Sequence, residues 1–125
     1  MKKYLIDSHV FIWWMSGAKL SAHVVDILFD SNSSVYISIA ALWEITIKQQ
    51  KGRLSVPEDL GEALDQDNFQ IMPVSLDHVR ALRDLPEIHS DPFDRIMITQ
   101  ALCEGLTLIT RDKHILKYDV QLLKA

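Results

Sequence analysis

Four acidic residues lie far apart in the chain, at places that a fold could bring together. Asp7 ends a short apolar run, Asp112 follows another, and Glu44 and Asp94 lie in apolar helical segments. Carboxylates that approach within a few ångströms repel one another and take up protons unless a cation neutralises them. Oxygen ligands suit Mg²⁺ or Mn²⁺, which keep several waters and bind substrate phosphates directly. We therefore predict that these acids hold one or two divalent metal ions.

The chemistry that such a site supports is phosphodiester hydrolysis, because a bound metal activates water and stabilises charge on phosphate during an in-line displacement. Thr110 lies two residues before Asp112, a spacing at which its hydroxyl can hold that acid. Asp91 lies three residues before Asp94, and we assign it to the N-cap of a helix. Contact between Asp91 and the metal through a water stays open as an alternative. Nucleic acid is the predicted substrate.

Basic residues adjoin the predicted metal ligands. Lys48 and Lys51 follow Glu44 by four and seven residues, a ladder typical of an exposed helix face. The same ladder would place phosphate-attracting charge beside a metal-bound acid. Arg95 and Arg111 each neighbour one of the acids, and guanidinium suits phosphate recognition, but a surface ion pair explains either arginine equally well. The residues alone leave these interpretations open.

Apolar runs alternate with helix-patterned segments along the chain. The predicted strands are residues 3–7, 35–38, 69–74, 106–110 and about 120–123. The predicted helices are a short one capped by Ser8 and segments 21–30, 39–51, 57–67, 76–85 and 91–104, with a helical turn at 113–117; Pro57 and Pro92 are placed in first turns. This alternation predicts an α/β fold with a mostly parallel sheet and helices on both faces.

The predicted sheet explains how the acids would meet. In an open parallel sheet, ligands bind beyond the carboxyl ends of the strands, where the strand order reverses. Asp7 at the end of the first strand and Asp112 just beyond the fourth both lie at that edge. Asp94 heads an apolar helix stripe, so we expect its side chain to face inward. The stripe consists of Met97, Ile98, Ala101 and Leu102.

Bulk properties limit the fold and its partners. With 125 residues, 48% apolar and 24% charged, the chain is predicted to form one domain, residues 1–125. Its net charge of −4 argues against a passive nucleic-acid coat. The single cysteine, Cys103, excludes an internal disulfide and is expected in the core. Neither a signal peptide nor a membrane span is visible, and we expect a cytoplasmic protein.

Four segments resemble, in the same order, the motifs of PIN-domain ribonucleases, in particular the VapC-like toxins of bacterial toxin–antitoxin pairs. The segments are Leu5–Phe11 with Trp13 and Trp14, Ser38–Lys48, His89–Arg95 and Leu108–Asp112. The resemblance places the family's acidic quartet on Asp7, Glu44, Asp94 and Asp112, with Ser8 and Thr110 as supporting hydroxyls. It covers nearly the whole chain.

The resemblance also carries expectations about fold and function. It implies a three-layer sandwich with a five-stranded parallel sheet, and a Mg²⁺- or Mn²⁺-dependent endoribonuclease whose products carry a 5′-phosphate and a 3′-hydroxyl. It further implies a homodimer and an antitoxin protein that blocks the active site. A PIN-like binding module without catalytic activity is the main alternative. A receiver domain or an aspartate phosphatase is disfavoured, because the acids that these proteins need next to Asp7 and after the third strand are absent from the sequence.

The remaining polar and aromatic residues receive structural interpretations. No histidines show zinc-like spacing, so we assign His9, His23, His78 and His114 to structural or surface positions. His89 lies in one of the recognised segments, but no role follows from its type and spacing. We expect Trp13 and Trp14 to make core or dimer contacts, with stacking on an RNA base as the less favoured alternative.

Overall fold

The computed structural model describes residues 2–54 and 60–125 and places a parallel β-sheet at the centre of the molecule. The strands are β1 (Lys3–Ile6), β2 (Ser34–Ser38), β3 (Gln70–Met72), β4 (Thr107–Thr110) and β5 (Leu122–Lys124). Their order is β3-β2-β1-β4-β5, and each neighbouring pair runs parallel. The predicted α/β fold with a parallel, five-stranded sheet is therefore confirmed.

Helices connect the strands. Within the described ranges they are α1 (Ser8–Ser16), α2 (Ala22–Phe29), α3 (Ile39–Gln50), α4 (Leu60–Gln66), α5 (Leu76–Ala81) and α6 (Pro92–Glu104). Residues Leu82–Asp84 and Ile115–Lys117 form short 3₁₀ turns. No helix in the described part of the chain is long and apolar enough to cross a bilayer.

The central strands are buried on both faces of the sheet. Tyr4, Leu5 and Ile6 in β1 are all buried, as are Leu108 and Ile109 in β4. Successive side chains of a strand point to opposite faces, so burial of consecutive residues requires cover on both sides. The chain thus forms the expected three layers, with helices above and below the sheet.

The strand order reverses between β1 and β4. From β1 the chain adds β2 and β3 on one side, and it later places β4 and β5 on the other. Ile6 pairs with Ile109, so the next residues, Asp7 and Thr110, emerge side by side at the carboxyl edge of the sheet. This reversal opens the crevice in which open parallel sheets bind their ligands.

Side-chain caps begin several helices. Ser38 caps α3 and Asp91 caps α6, as predicted. The prediction that Ser8 caps α1 is wrong: Asp7 is the cap, its Oδ1 accepting a hydrogen bond from the amide of Val10 at 2.8 Å. Both residue types suit an N-cap, so sequence preference could not separate them. With Asp7 as the cap, the Ser8 hydroxyl is available for a contact outside its own helix.

Other predicted boundaries differ modestly. The strand predicted at 69–74 is limited to Gln70–Met72, and the last strand begins at Leu122 rather than near residue 120. The helix predicted at 76–85 ends at Ala81 and continues as a 3₁₀ turn. Pro57, predicted in the first turn of α4, lies outside the described residues.

The end of α6 contradicts two predictions. Met97, Ile98 and Ala101 are buried, but Leu102 is 48% exposed, so it does not belong to the core-facing stripe. Cys103 is also exposed rather than a core thiol. Both residues lie in the last turn of α6, one turn beyond the buried Ile98 and Thr99, where the helix leaves the core.

Candidate functional site

The reversal of strand order brings Asp7 and Asp112 into one hydrogen-bonded chain through Thr110. The Thr110 hydroxyl donates a short hydrogen bond to Asp7 Oδ2 and accepts one from the amide of Asp112 at 3.1 Å. The predicted support of Asp112 by Thr110 therefore runs through the Asp112 backbone. Thr110 is fully buried and joins the ends of β1 and β4.

Asp7 is a buried carboxylate with few compensating partners. It is 1% exposed, and its two oxygens accept hydrogen bonds from Val10 and Thr110. Burial raises the pKa of Asp7 above its usual value; these hydrogen bonds and His9 oppose the rise, whereas the nearby Asp112 adds to it. A cation beside Asp7 would remove this conflict, because it would stabilise the ionised form.

Glu44 reaches the same region from α3. Its side chain is almost fully buried, and the Ser8 hydroxyl donates to Glu44 Oε1 at 2.7 Å. Lys48 Nζ lies 3.5 Å from Glu44 Oε2. The interpretation of Glu44 as part of an exposed ladder is wrong, because Glu44 is buried, while Lys48 is half-buried and Lys51 is exposed. Ser8 at the start of α1 therefore holds an acid contributed by another helix.

Asp94 is a buried carboxylate with three other acids near it. It is 6% exposed near the start of α6, where its amide donates to Asp91 Oδ1 at 3.0 Å. Burial raises the pKa of Asp94 to about 7, and the negative charges of Asp91, Glu44 and Asp7 contribute to the rise. The carboxylate of Asp94 also approaches that of Asp112, which Thr110 links to Asp7, so the predicted acids lie near one another at this edge of the sheet.

His89 also lies at this site, although no role follows from its type and spacing in the sequence. Its Nε2 lies 2.9 Å from Asp94 Oδ2, and the His114 ring stacks on it at 4.9 Å with the planes 10° apart. His89, Asp94 and Asp112 each offer one possible ligand atom, and these three atoms lie within 4.8 Å of one another. The usable signal was the position of His89 five residues before Asp94, but only the folded loop shows that they meet.

Asp112 has two functions in the structure. Its Oδ1 accepts hydrogen bonds from the amides of His114 and Ile115 at 2.8 and 3.2 Å, which begins the 3₁₀ turn after β4. Its carboxylate also belongs to the group with His89 and Asp94 that could bind a metal ion. The turn orients Asp112 toward the site.

The two predicted phosphate-binding arginines are engaged with the protein backbone. Arg95 donates to the carbonyl oxygens of Leu85 and Pro86 and to the Tyr118 hydroxyl. Arg111 donates to carbonyl oxygens of Lys19 and Ala125 and lies 4.3 Å above the ring of Trp13. Among the side chains that the structure describes, no Asp or Glu carboxylate forms an ion pair with either guanidinium. Their binding of phosphate stays a prediction.

Fold and site together define an α/β domain with a buried cluster of acids at the reversal of strand order. The chain belongs to the PIN domain family, which it matches over residues 4–121. This match confirms, at the level of the family, the resemblance seen in the sequence motifs. No curated protein is similar enough to count as a match.

Solved structures with the same fold include toxin–antitoxin complexes. A chain of VapBC from Salmonella typhimurium bound to DNA is 14% identical, with a TM-score of 0.73 and coverage of 99% of this chain and 98% of that one. A chain of VapBC2 from Rickettsia felis, bound to a promoter DNA fragment, is 15% identical with a TM-score of 0.71 and 98% coverage of both. A chain of a toxin–antitoxin complex from Klebsiella pneumoniae is 19% identical, with a TM-score of 0.65 and coverage of 96% of this chain and 95% of that one. At these identities the similarity shows the shared fold.

Proposed function

We propose that this protein is a cytoplasmic, metal-dependent endoribonuclease that acts as the toxin of a toxin–antitoxin pair. The observation that carries the proposal is the gathering of Asp7, Glu44, Asp94 and Asp112 into one largely buried cluster. A protein that only held a partner would gain nothing from crowding these carboxylates, which weakens the alternative of a binding module. The PIN domain assignment supports nuclease chemistry.

The donor set fits a divalent cation. Burial and mutual repulsion raise the pKa values of Asp7 and Asp94, and a cation relieves both effects. Four carboxylates suit Mg²⁺ or Mn²⁺. When bound, such an ion supplies Lewis acidity that lowers the pKa of a water molecule and stabilises charge on the phosphate.

The protein's own residues orient this chemistry. Thr110 holds one oxygen of Asp7, and Ser8 holds one oxygen of Glu44, so each carboxylate keeps a defined direction. Lys48 lies beside Glu44 and is half-buried, at a position where its ammonium group can attract a backbone phosphate. Asp91 caps α6 and thereby fixes the turn that carries Asp94.

The test is cleavage of RNA by purified protein with Mg²⁺, with Mn²⁺ and with a chelator. We expect cleavage only with metal, and its loss in Asp7→Asn. Asp26→Asn is the matched control, because Asp26 is exposed on α2. Equal cleavage by Asp7→Asn would overturn the site assignment. No cleavage of any RNA by the unaltered protein would favour the binding module.

We propose a second copy of the chain as one partner, bound through an apolar groove of about 450 Å³ between α3, α5 and α6. The residues that line the groove are Ile39, Ala40, Trp43, Val74, Val79, Pro92, Phe93 and Ile96. Trp43 is 64% exposed and packs edge-on against Phe93 at 5.2 Å. Interfaces between identical subunits are more apolar than the rest of the surface, which fits this groove.

Light scattering on the intact chain tests this assignment. Trp43→Glu should give a monomer, whereas Phe29→Glu, which changes an equally exposed aromatic residue on α2, should remain dimeric. A dimer that persists in Trp43→Glu would exclude the groove.

The other proposed partner is an antitoxin protein that blocks the acidic cluster, because the structural relatives are toxin–antitoxin complexes. The coding sequence directly upstream is the place to look for it. Co-expression should give a stable complex in which RNA cleavage is suppressed. A missing upstream reading frame would weaken the toxin role without affecting the nuclease proposal.

A further inference from the structure

We propose that His89 is itself a ligand of the divalent metal bound by Asp94 and Asp112, so that the site combines nitrogen and oxygen donors and prefers Mn²⁺ to Mg²⁺. This inference rests on the proposed metal site but goes beyond the acidic quartet. Its basis is the group formed by His89, Asp94 and Asp112, whose ligand atoms lie within 4.8 Å of one another.

The distances suit a shared ion. Two ligands at right angles on a six-coordinate ion, each about 2.1 Å from it, lie about 3 Å apart. His89 Nε2 and Asp94 Oδ2 are already 2.9 Å apart. A metal ion could therefore replace the hydrogen bond between these atoms with little movement of either side chain.

The loop that carries His89 is held in place. The Tyr118 hydroxyl accepts hydrogen bonds from the amides of Ile88 and His89 at 3.2 and 2.9 Å. Arg95 anchors the start of the same loop by donating to the Pro86 carbonyl at 2.9 Å. Tyr118 is buried, so the backbone of His89 is fixed to the core. This is the support that a metal ligand needs from the residues around it.

The ring orientation of His89 is also fixed. His114 stacks on it nearly in parallel, which restricts rotation of the His89 ring. Because Nε2 points to Asp94, that nitrogen faces the acids. A histidine that only exposed a polar ring to solvent would need neither constraint.

Nitrogen ligation has a consequence for metal choice. Mg²⁺ binds oxygen ligands and loses its waters reluctantly, whereas imidazole nitrogen is a better ligand for transition metals. His89 would thus raise affinity for Mn²⁺ more than affinity for Mg²⁺. If His89 only held Asp94 in position, its loss would weaken the binding of both ions to a similar extent.

Pulsed EPR of bound Mn²⁺ and calorimetric titration with each metal separate these roles. The unaltered protein should show a nitrogen coupling to Mn²⁺ that disappears in His89→Gln and persists in His23→Gln, an exposed histidine on α2. In His89→Gln the Kd for Mn²⁺ should rise about tenfold or more, with a smaller change for Mg²⁺. These readouts do not depend on nuclease activity.

Two other outcomes would overturn the inference in different ways. Suppose that bound Mn²⁺ showed no nitrogen coupling and that His89→Gln weakened the binding of both metals equally. His89 would then be a positioning residue for Asp94 and not a metal ligand. If neither metal bound to the protein and Asp94→Asn had no effect on RNA cleavage, both the metal site and the proposed function would be excluded.

Discussion

Two histidine–carboxylate pairs at opposite ends of α6 have nearly the same geometry and different surroundings. His89 lies 2.9 Å from Asp94, and His78 lies 2.8 Å from Glu104. Ser75 is the N-cap of α5, and its amide donates to His78 Nδ1 in a capping box, so His78 Nε2 must donate to Glu104. Both ring nitrogens of His78 are thus used in stabilising the fold.

The His89 pair stands among other acids. Asp94 is buried and close to further carboxylates, whereas Glu104 is 43% exposed at its side chain. The comparison shows that a histidine–carboxylate contact is not itself a sign of function. What distinguishes the two pairs is the number of nearby negative charges and the access of each pair to water.

The largest expected contrast is in catalysis. Asp94→Asn should lower RNA cleavage by about a thousandfold, because it removes a metal ligand and with it several kcal/mol of transition-state stabilisation. Glu104→Gln should leave the rate nearly unchanged. Single-turnover cleavage at saturating protein measures both. Similar losses in the two variants would abolish the functional distinction between the pairs.

The second contrast is in stability, where we expect the His78 pair to matter more than the His89 pair. His78→Ala should reduce the free energy of unfolding by about 2 kcal/mol, since it removes a fully buried side chain, a helix cap and a link between α5 and α6. His89→Ala should cost less than about 1 kcal/mol. Urea unfolding of metal-free protein gives both values, and a larger loss for His89→Ala would contradict the comparison.

A third prediction concerns pH in the presence of a chelator. The pKa of Asp94 rises from 3.8 to about 7, so the folded protein binds more protons than the unfolded chain between these values. The contribution of Asp94 therefore makes unfolding easier as the pH increases through this range. Asp94→Asn should flatten the dependence, and Mn²⁺ or Mg²⁺ should restore stability near pH 7.5.

Melting temperatures measured across this pH range, with and without metal, test the prediction. Glu104→Gln is the matched control, because its side chain is exposed. A metal-free profile that is the same in Asp94→Asn and in the unaltered protein would show that repulsion at the cluster is weak.

The smallest expected effect is on the loop that holds His89. Tyr118→Phe removes the acceptor for the amides of Ile88 and His89 but keeps the buried ring. The Kd for Mn²⁺ should rise a few-fold, about 1 kcal/mol or less. Calorimetric titration measures this Kd, and Tyr36→Phe on β2 is the matched control. Unchanged Mn²⁺ affinity in Tyr118→Phe would show that the loop does not need this anchor.

Much of the site followed from patterns that are local in the chain. The apolar runs located β1 and β4, and their parallel pairing placed Asp7 beside Thr110. The sequence supports the assignment of Glu44 to the site less firmly, because its helical spacing from Lys48 also fits a solvent-exposed helix face. Only the packing of α1 against α3 buries it beneath Ser8.

The failures share a physical cause. Asp7 and Ser8 are equally good caps by type, and both have partners distant in sequence: Thr110, 103 residues away, donates to Asp7, and Ser8 donates to Glu44. Phosphate binding by Arg95 stays a prediction, but its neighbour in sequence could not show that the guanidinium turns toward the loop after Leu85. His89 acquires partners only when that loop folds. Side-chain partners distant in sequence cannot be inferred from spacing.

The link between Asp7 and Thr110 also determines when the acidic cluster can exist. Asp7 is synthesised 103 residues before its hydrogen-bond donor Thr110, which ends the fourth strand and reaches Asp7 only when that strand pairs with β1. Contacts of such long sequence separation form late, because a large loop must first close. A growing chain therefore carries Asp7, Ser8 and Glu44 without the geometry that unites them. The cluster is completed only near the end of folding.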